Sequence, residues 1–340
     1  MKILVGVPTF NNSRFGYSIR RTLEALAGQS FRDFRVLIVY RPSPGDRTLD
    51  VIDEFRDRLD IEVKIQSEGF FEEAMNMIFE TSRDYDITLT TDDDAIPTTT
   101  WIEEHINMHK QHEKIGIFQG TINGIFIVKC TEHLYALRHL IKYLLGYYNP
   151  ILPEFKNYVT YINDMGLLAC NDNAAKLIMQ SNRSMYYNGP GGVNMSFKSK
   201  LIDDFKLPGI TIRGIYNEVL LMLHYIVKHS MHSALFNGGI VIHVERDSLS
   251  RPKNLKAIFM SRVERGLLPY MVNQFGIKVN LNKLKKYHRF ITLYSGIRGS
   301  IIAKANKVGI GLAIEAIENN YEPNKVRDKL IELNKMPILS

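Results

Sequence analysis

Three aspartates in succession end the run Thr90-Thr91-Asp92-Asp93-Asp94, which closes the apolar stretch Ile87 to Leu89. Adjacent carboxylates repel, and each costs free energy to desolvate without a counter-charge. At the C-terminal end of a parallel strand they would face the crevice where α/β proteins bind ligands. A divalent cation is their natural partner. Mg²⁺ or Mn²⁺ takes oxygen ligands, uses one or two carboxylates and leaves positions for substrate phosphates. A solvated acidic turn or a helix N-cap is the competing explanation.

The elements that must position this triplet alternate strand and helix signals over the first hundred residues. Ile3 to Val7 is an apolar run ended by Pro8, and Asn11, Asn12 and Ser13 supply turn chemistry before a helix carrying Ile19, Leu23 and Leu26. Gly28 stops it. Phe34 to Tyr40 reads as a buried strand broken by Pro42, Pro44 and Gly45. A helix with Leu49, Ile52, Phe55 and Leu59 follows, then a short strand, Ile61 to Ile65, then a helix with Ala74, Met77 and Ile78. The fourth strand, Ile87 to Thr90, delivers the aspartates. Four β-α units in series predict a parallel, doubly wound sheet.

With 340 residues, the chain is long enough for one large domain and an appendage, or for two domains. No apolar run reaches the ~18 residues of a membrane span, and the N-terminus reads as a strand, not a signal peptide. Cys130 and Cys170 fit no zinc motif, so a reduced, cytoplasmic protein is the default, with a single bridge left open. Charge is uneven. Residues 265–314 contain no Asp or Glu and nine Lys or Arg, whereas the whole chain is +7, so the remainder is about −2. Such asymmetry suggests an anionic partner. Leu134, Leu137, Ile141, Leu144 and Leu145 form a stripe in a tyrosine-rich segment, read as a helical insertion at 131–171 that either packs as core or meets an acceptor or membrane. Residues 251–340 read as mostly helical.

Several stretches together resemble glycosyltransferase family 2. They are Val5-Gly6-Val7-Pro8-Thr9-Phe10-Asn11, then Leu26-Ala27-Gly28-Gln29-Ser30-Phe31, then Phe34 to Val39. Gly69 to Asn76 follows, and next Thr91-Asp92-Asp93-Asp94-Ala95-Ile96-Pro97 with Trp101. Gly191 to Phe197, Tyr216-Asn217-Glu218 and Ile240 to His243 complete the set, over about residues 1–250. The resemblance implies a GT-A fold, Rossmann-like and mostly parallel, with a helical insertion and a helical C-terminal extension.

It also implies roles. Pro8, Thr9, Tyr40, Arg41, Asn76, Asp92 and Asp93 would bind a nucleotide-sugar donor, with Asp93 alternatively capping the next turn. Asp92 and Asp94 would be the D-x-D pair holding Mn²⁺ or Mg²⁺, with His243 completing the metal shell; otherwise His243 is an ordinary core or turn histidine. Glu218 would be the general base that inversion requires, or a helix-terminal Glu favoured by the dipole. Arg246 and Arg251 would close over the diphosphate. Gly191, Gly192, Asn194 and Trp101 would lie on the acceptor side. Tyr40-Arg41 stands where the family carries base-reading acids, which leaves a UDP or GDP type donor open, and Asn217 replaces an acid before Glu218.

The implied activity is metal-dependent, inverting transfer of a sugar to a hydroxyl acceptor, for which a glycan and a lipid-linked acceptor are the candidates. A sugar nucleotidyltransferase is disfavoured because the loop from Pro8 to Ser13 has no glycine. A catalytically silent sugar- or membrane-binding scaffold on the same fold is the other alternative. The basic tract at 265–314 matches no nucleic-acid motif. It reads either as a peripheral contact with an anionic membrane or as a solvated helical face.

Overall fold

The computed structural model describes residues 1–126, 142–181, 183–244, 253–298 and 300–336. Arg246, Arg251, Cys130, Leu134, Leu137 and Ile141 lie outside them. The chain divides into two compact units: Met1–Ile127, Asn182–Leu207 and Asn217–Glu245 form the first, and Val128–Ser181, Pro208–Tyr216 and Arg246–Ser340 the second. A single break near residue 250 does not describe this division, because 128–181 and 208–216 group with the C-terminal helices.

In the first unit, β1 (Ile3–Phe10), β2 (Phe34–Arg41), β3 (Asp60–Ile65) and β4 (Ile87–Thr91) alternate with α1 (Ile19–Ala27), α2 (Thr48–Asp53) and α3 (Phe71–Ser82). Then come β5 (Ala95–Pro97), α4 (Trp101–Gln111) and β6 (Ile115–Gln119). The chain passes to β7 (Thr160–Ile162) and β8 (Leu168–Cys170) of the second unit. It returns with β9 (Met185–Tyr187), β10 (Asn194–Lys198), the helix Asn217–His229, β11 (His232–Phe236) and β12 (Val241–His243).

Alternation along the strands makes two buried faces. Ile3, Val5 and Val7 of β1 and Val36, Ile38 and Tyr40 of β2 pack with Ile19, Leu23 and Leu26 of α1. On the opposite face, α3 approaches β1 so closely that a Cβ on Gly6 would lie 2.6 Å from Ile78 Cγ2. Any larger residue there would push the helix off the sheet.

The strand order is β3-β2-β1-β4-β10-β6-β11-β9. The first four are parallel, as the sequence predicts. Beyond β4 the sheet is mixed: β10 runs antiparallel to both β4 and β6, β11 is parallel to β6, and β9 is antiparallel to β11. The reversal at β10 matters for the site. It sets Asn194 opposite Thr91, so the start of β10 lies beside the end of β4.

The second unit holds the antiparallel pair β7–β8 and helices that include Leu255–Arg265, Leu281–Arg298 and Ile301–Glu318. The described part of the expected helical insertion therefore contains a strand pair. Gly266 and Gly309 let two helices meet at the backbone, since a Cβ on Gly266 would lie 2.8 Å from the Gly309 Cα. In the basic tract, Leu284, Tyr287 and Ile291 are buried. Lys283 pairs with Asp164 at 2.5 Å, and Lys285 pairs with Glu318. Part of the tract's charge is thus neutralised within its own unit. Cys170 is disulfide-bonded, so the reduced state favoured from the cysteine count does not hold for it. No described helix is long and apolar enough to cross a membrane.

Candidate active site

The turn after β4 carries the aspartates, and its register with β12 decides what they meet. β5 pairs antiparallel with β12, placing His243 opposite Ala95, the residue after Asp94. The Val244 N–H donates to the Asp94 carbonyl at 3.2 Å. Asn123 clasps the same strand end, accepting from the His243 N–H at 2.7 Å and donating to its carbonyl at 3.3 Å. His243 Nε2 consequently lies 3.1 Å from Asp94 Oδ1 and 3.4 Å from Asp92 Oδ2. One ligand atom from each of the three residues lies within 4.8 Å of the others. Asp94 is buried, whereas the Asp92 side chain keeps 35% of its exposure, so the group opens to solvent on the Asp92 side. Two carboxylates and an imidazole nitrogen in this arrangement fit a divalent cation with positions left for other oxygens.

Asp93 behaves differently from its neighbours. It is buried, and its Oδ2 accepts from Thr9 Oγ1 at 2.6 Å and from Asn12 Nδ2 at 2.7 Å. Ser18 Oγ donates to its carbonyl at 3.1 Å. Asp93 is therefore the pin between the aspartate turn and the loop after β1. Thr9 contributes to that pin, and Pro8 sits one residue earlier in β1, in register with Val39.

Glu218 is the second residue of the helix Asn217–His229 and is half-buried. A Cβ on Gly192 would lie 3.9 Å from its Oε2. The Gly192 carbonyl accepts from Thr90 Oγ1 of β4 at 3.0 Å. Glu218, Gly191-Gly192 and the aspartates are thus gathered at one end of β4. Asn217 is also buried, and neither of its side-chain amide atoms has a hydrogen-bond partner among the described residues.

Other expected site residues are committed elsewhere. Tyr40 is 3% exposed within the α1 face of the core, and its hydroxyl donates to Asp46 at 3.0 Å. Burial first, and then that carboxylate, pushes the phenol up to about 12. No ring face is left for a nucleobase. Arg41, on the opposite face, donates to the Gly69 carbonyl and lies over the Phe10 and Phe70 rings, at 5.7 and 5.9 Å. Asn76 is bound twice to the Leu207 backbone, donating to its carbonyl at 3.1 Å and accepting from its N–H at 2.7 Å.

Trp101 and Asn194 are interior residues and present no acceptor surface. Trp101 Nε1 donates to Asn194 Oδ1 at 2.8 Å, and Asn194 Nδ2 donates to the carbonyls of Thr121 and Gly239 at 3.0 and 2.7 Å. His105 bridges Asn194 Oδ1 and Ser196 Oγ at 3.1 and 2.7 Å, and His109 reaches the same Ser196 at 2.9 Å. Burial lowers His105 to about 4 and holds His109 well below the ordinary histidine value. Both imidazoles are therefore neutral at pH 7. This network fixes the first residues of β10, and so the turn that faces Glu218. Its sequence signal was present: Trp101, His105 and His109 recur every four residues, on one face of α4.

Residues 4–164 match the family profile described as Glycosyl transferase family 2. The match covers a little under half of the chain, and over that stretch the chain is similar to family 2 glycosyltransferases. Its mixed sheet, with helices on both faces, is an α/β fold. No curated protein sequence matches the chain. Among solved structures, S. aureus TarS 1–349 in complex with UDP-GlcNAc is similar over 94% of this chain and 92% of that one, at 14% identity and a TM-score of 0.48. The mannosyltransferase PcManGT from Pyrobaculum calidifontis, in complex with GDP-Man and Mn²⁺, is similar over 97% and 85%, at 14% identity and a TM-score of 0.49.

Proposed function

We propose that this chain is a family 2 glycosyltransferase, metal-dependent and inverting. It moves a sugar from a nucleoside-diphosphate donor, of UDP or GDP type, to a hydroxyl acceptor. The observation that carries the reading is the convergence of Asp92, Asp94 and His243 on one point at the end of β4. Three such groups, two of them acidic, are costly to gather without a cation between them. A bound Mn²⁺ or Mg²⁺ would supply charge neutralisation for the departing diphosphate. Of the two, the imidazole favours Mn²⁺ as the softer ion.

The chain's own residues supply the rest. Asp94, buried and fixed through its carbonyl by Val244, orients one ligand, and the more exposed Asp92 faces the incoming donor. Glu218 accepts the acceptor hydroxyl's proton as the oxygen attacks the anomeric carbon, on the face opposite the diphosphate. A carboxylate suits this, because the proton moves late, when the hydroxyl has become acidic. Gly192 leaves the space in front of Glu218 that this approach needs.

The test is a thermal-shift panel of UDP, GDP, CDP and CMP, and of nucleotide sugars, each with Mn²⁺, Mg²⁺ or EDTA. A ligand that binds only the folded state adds about 2.7 kcal/mol of stability at a hundredfold excess over its Kd. A shift with one diphosphate that needs metal and disappears in Asp94→Ala supports the reading. No shift with any nucleotide under any metal overturns it and favours a silent scaffold.

A second reading, a peripheral membrane contact that brings in a lipid-linked acceptor, draws on the second unit. A cavity of about 500 Å³ there is lined by Leu145, Tyr148, Lys283 and Lys286, with Tyr143 and Leu144 largely exposed beside them. Apolar and basic side chains at one opening suit an anionic interface. Cosedimentation with anionic liposomes that weakens with salt supports this contact, and its absence removes it.

A further inference from the structure

A second group of metal-ligating side chains lies in the first unit, outside the site just described. His224 and His229 occupy the C-terminal half of the helix Asn217–His229, and Asp203 follows the short turn Ser199–Leu201 after β10. One ligand atom from each of the three lies within 4.8 Å of the others. His229 Nε2 is 3.1 Å from Asp203 Oδ2, and the two imidazole rings are 5.5 Å apart.

The hydrogen bonds around the group assign its donors. His224 is buried, with Nε2 3.2 Å from the Leu201 carbonyl. A carbonyl only accepts, so Nε2 carries the proton and Nδ1 keeps its lone pair. Metal-ligating histidines are held in this way, with the second nitrogen donating to a backbone carbonyl or a carboxylate. Lys228, the nearest cation on the helix, is bound to Asp204 at 2.6 Å and does not neutralise Asp203 through that contact. The Asp203 side chain is about half exposed and that of His229 only 18%, which leaves an entry path on one side. Ligand atoms on a tetrahedral zinc ion are roughly 3.3 Å apart, which rotamer adjustments of the two outer residues reach.

We propose that Asp203, His224 and His229 form a second metal site that takes a transition-metal cation of the Zn²⁺ class. Two imidazoles and one carboxylate make a nitrogen-rich donor set, unlike the carboxylate-rich set at Asp92, Asp94 and His243, so the two sites prefer different ions. The ion ties the C-terminal end of the helix to the segment after β10. That helix carries Glu218 in its first turn, so the ion braces the element that presents the proposed base.

The experiment uses the full chain, stripped of metal, with Asp94→Asn to disable the first site. Zn²⁺ uptake is measured by titration calorimetry, and Co²⁺ uptake by its visible absorption, which is strong for four-coordinate nitrogen-containing sites. The expected result is one equivalent of either ion bound in Asp94→Asn, with a saturable rise in melting temperature. That equivalent is lost when His229→Gln or Asp203→Asn is added; both positions are partly exposed, so the chain should fold. No uptake in Asp94→Asn would show His229 and Asp203 to be an ion pair alone and would overturn the proposal. Uptake that survives both added substitutions would place the ion elsewhere and overturn it equally. The result is independent of whether the chain binds a nucleotide sugar.

Discussion

Acidification from pH 7 to pH 5 should destabilise the first unit through the buried histidines of α4. His105 titrates at about 4 in the folded chain because burial disfavours its charged form, against an ordinary value of 6.5. Above pH 6.5 both states hold it neutral and it contributes no pH dependence. Below 6.5 the unfolded chain takes up a proton that the folded chain refuses, so stability falls until the pH reaches the folded value. Integrated from pH 7 to pH 5, this amounts to about 2 kcal/mol. His109, held well below its ordinary value by burial in the same network, acts in the same direction. His224 is lowered by burial too and acts likewise. The loss from His105 alone, about 2 kcal/mol, is a sizeable part of the 5–15 kcal/mol typical of a domain. The assay is urea unfolding at pH 7, 6 and 5, followed by fluorescence of Trp101. This is the chain's one tryptophan, and its indole N–H is bonded into the network itself. His109→Gln should remove its share of the slope. Carboxylates held low, such as Asp46 and Asp86, lose their contribution only as pH falls below their ordinary 3.8, outside this window. An unfolding free energy that stays flat between pH 7 and pH 5 would refute the claim that these imidazoles are buried and neutral.

Glu218→Gln should lower kcat by about 10²–10⁴, as loss of a general base does, while the metal-dependent nucleotide shift survives; an unchanged kcat would remove Glu218 from the chemistry. Tyr40→Phe should cost about 1 kcal/mol of stability through the lost Asp46 hydrogen bond and leave the donor KM unaltered. A tenfold rise in that KM would return Tyr40 to the nucleotide pocket. Asn194→Ala strands the Trp101 N–H and the carbonyls of Thr121 and Gly239, at about 1–3 kcal/mol for each buried group. It should therefore lower the melting temperature sharply, and a change of only a degree or two would show that water replaces the amide.

The sequence made the first half of the sheet readable because each element there answers to local physics. Ile3 to Val7 is β-branched and stopped by Pro8, and α1 shows helical spacing and stops at Gly28. The reversed strand β10 was not readable in this way. It enters between β4 and β6 from about a hundred residues downstream, and nothing in Asn194 to Lys198 states which neighbours it will take. The same limit separates the site residues that the structure gathers from those it does not. Motif order named Trp101 and Asn194 but could not say that their polar atoms point at each other. Tyr40 and Arg41 were read together, although alternation along β2 sends them to opposite faces.

The aspartate triplet shows how one run of like residues can be divided between fold and chemistry. Three adjacent carboxylates all turned toward one cation would leave the loop after β1 without its partner for Thr9 and Asn12. Three all turned inward would bury like charges together at a cost of several kcal/mol. The chain avoids both. The middle residue, Asp93, points back to β1 and is satisfied by a hydroxyl and an amide, which hold the turn rigid. Its neighbours Asp92 and Asp94 are thereby set toward His243. Positional rigidity is what a metal site needs, since ligand placement errors of a fraction of an ångström lose affinity. The residue that touches no substrate in this arrangement therefore conditions the two that would. Asp93→Asn, which keeps the shape but removes the charge that strengthens both acceptor bonds at Oδ2, should weaken metal-dependent nucleotide binding without removing a ligand. A nucleotide Kd that stays at its wild-type value at every metal concentration would separate the pin from the site.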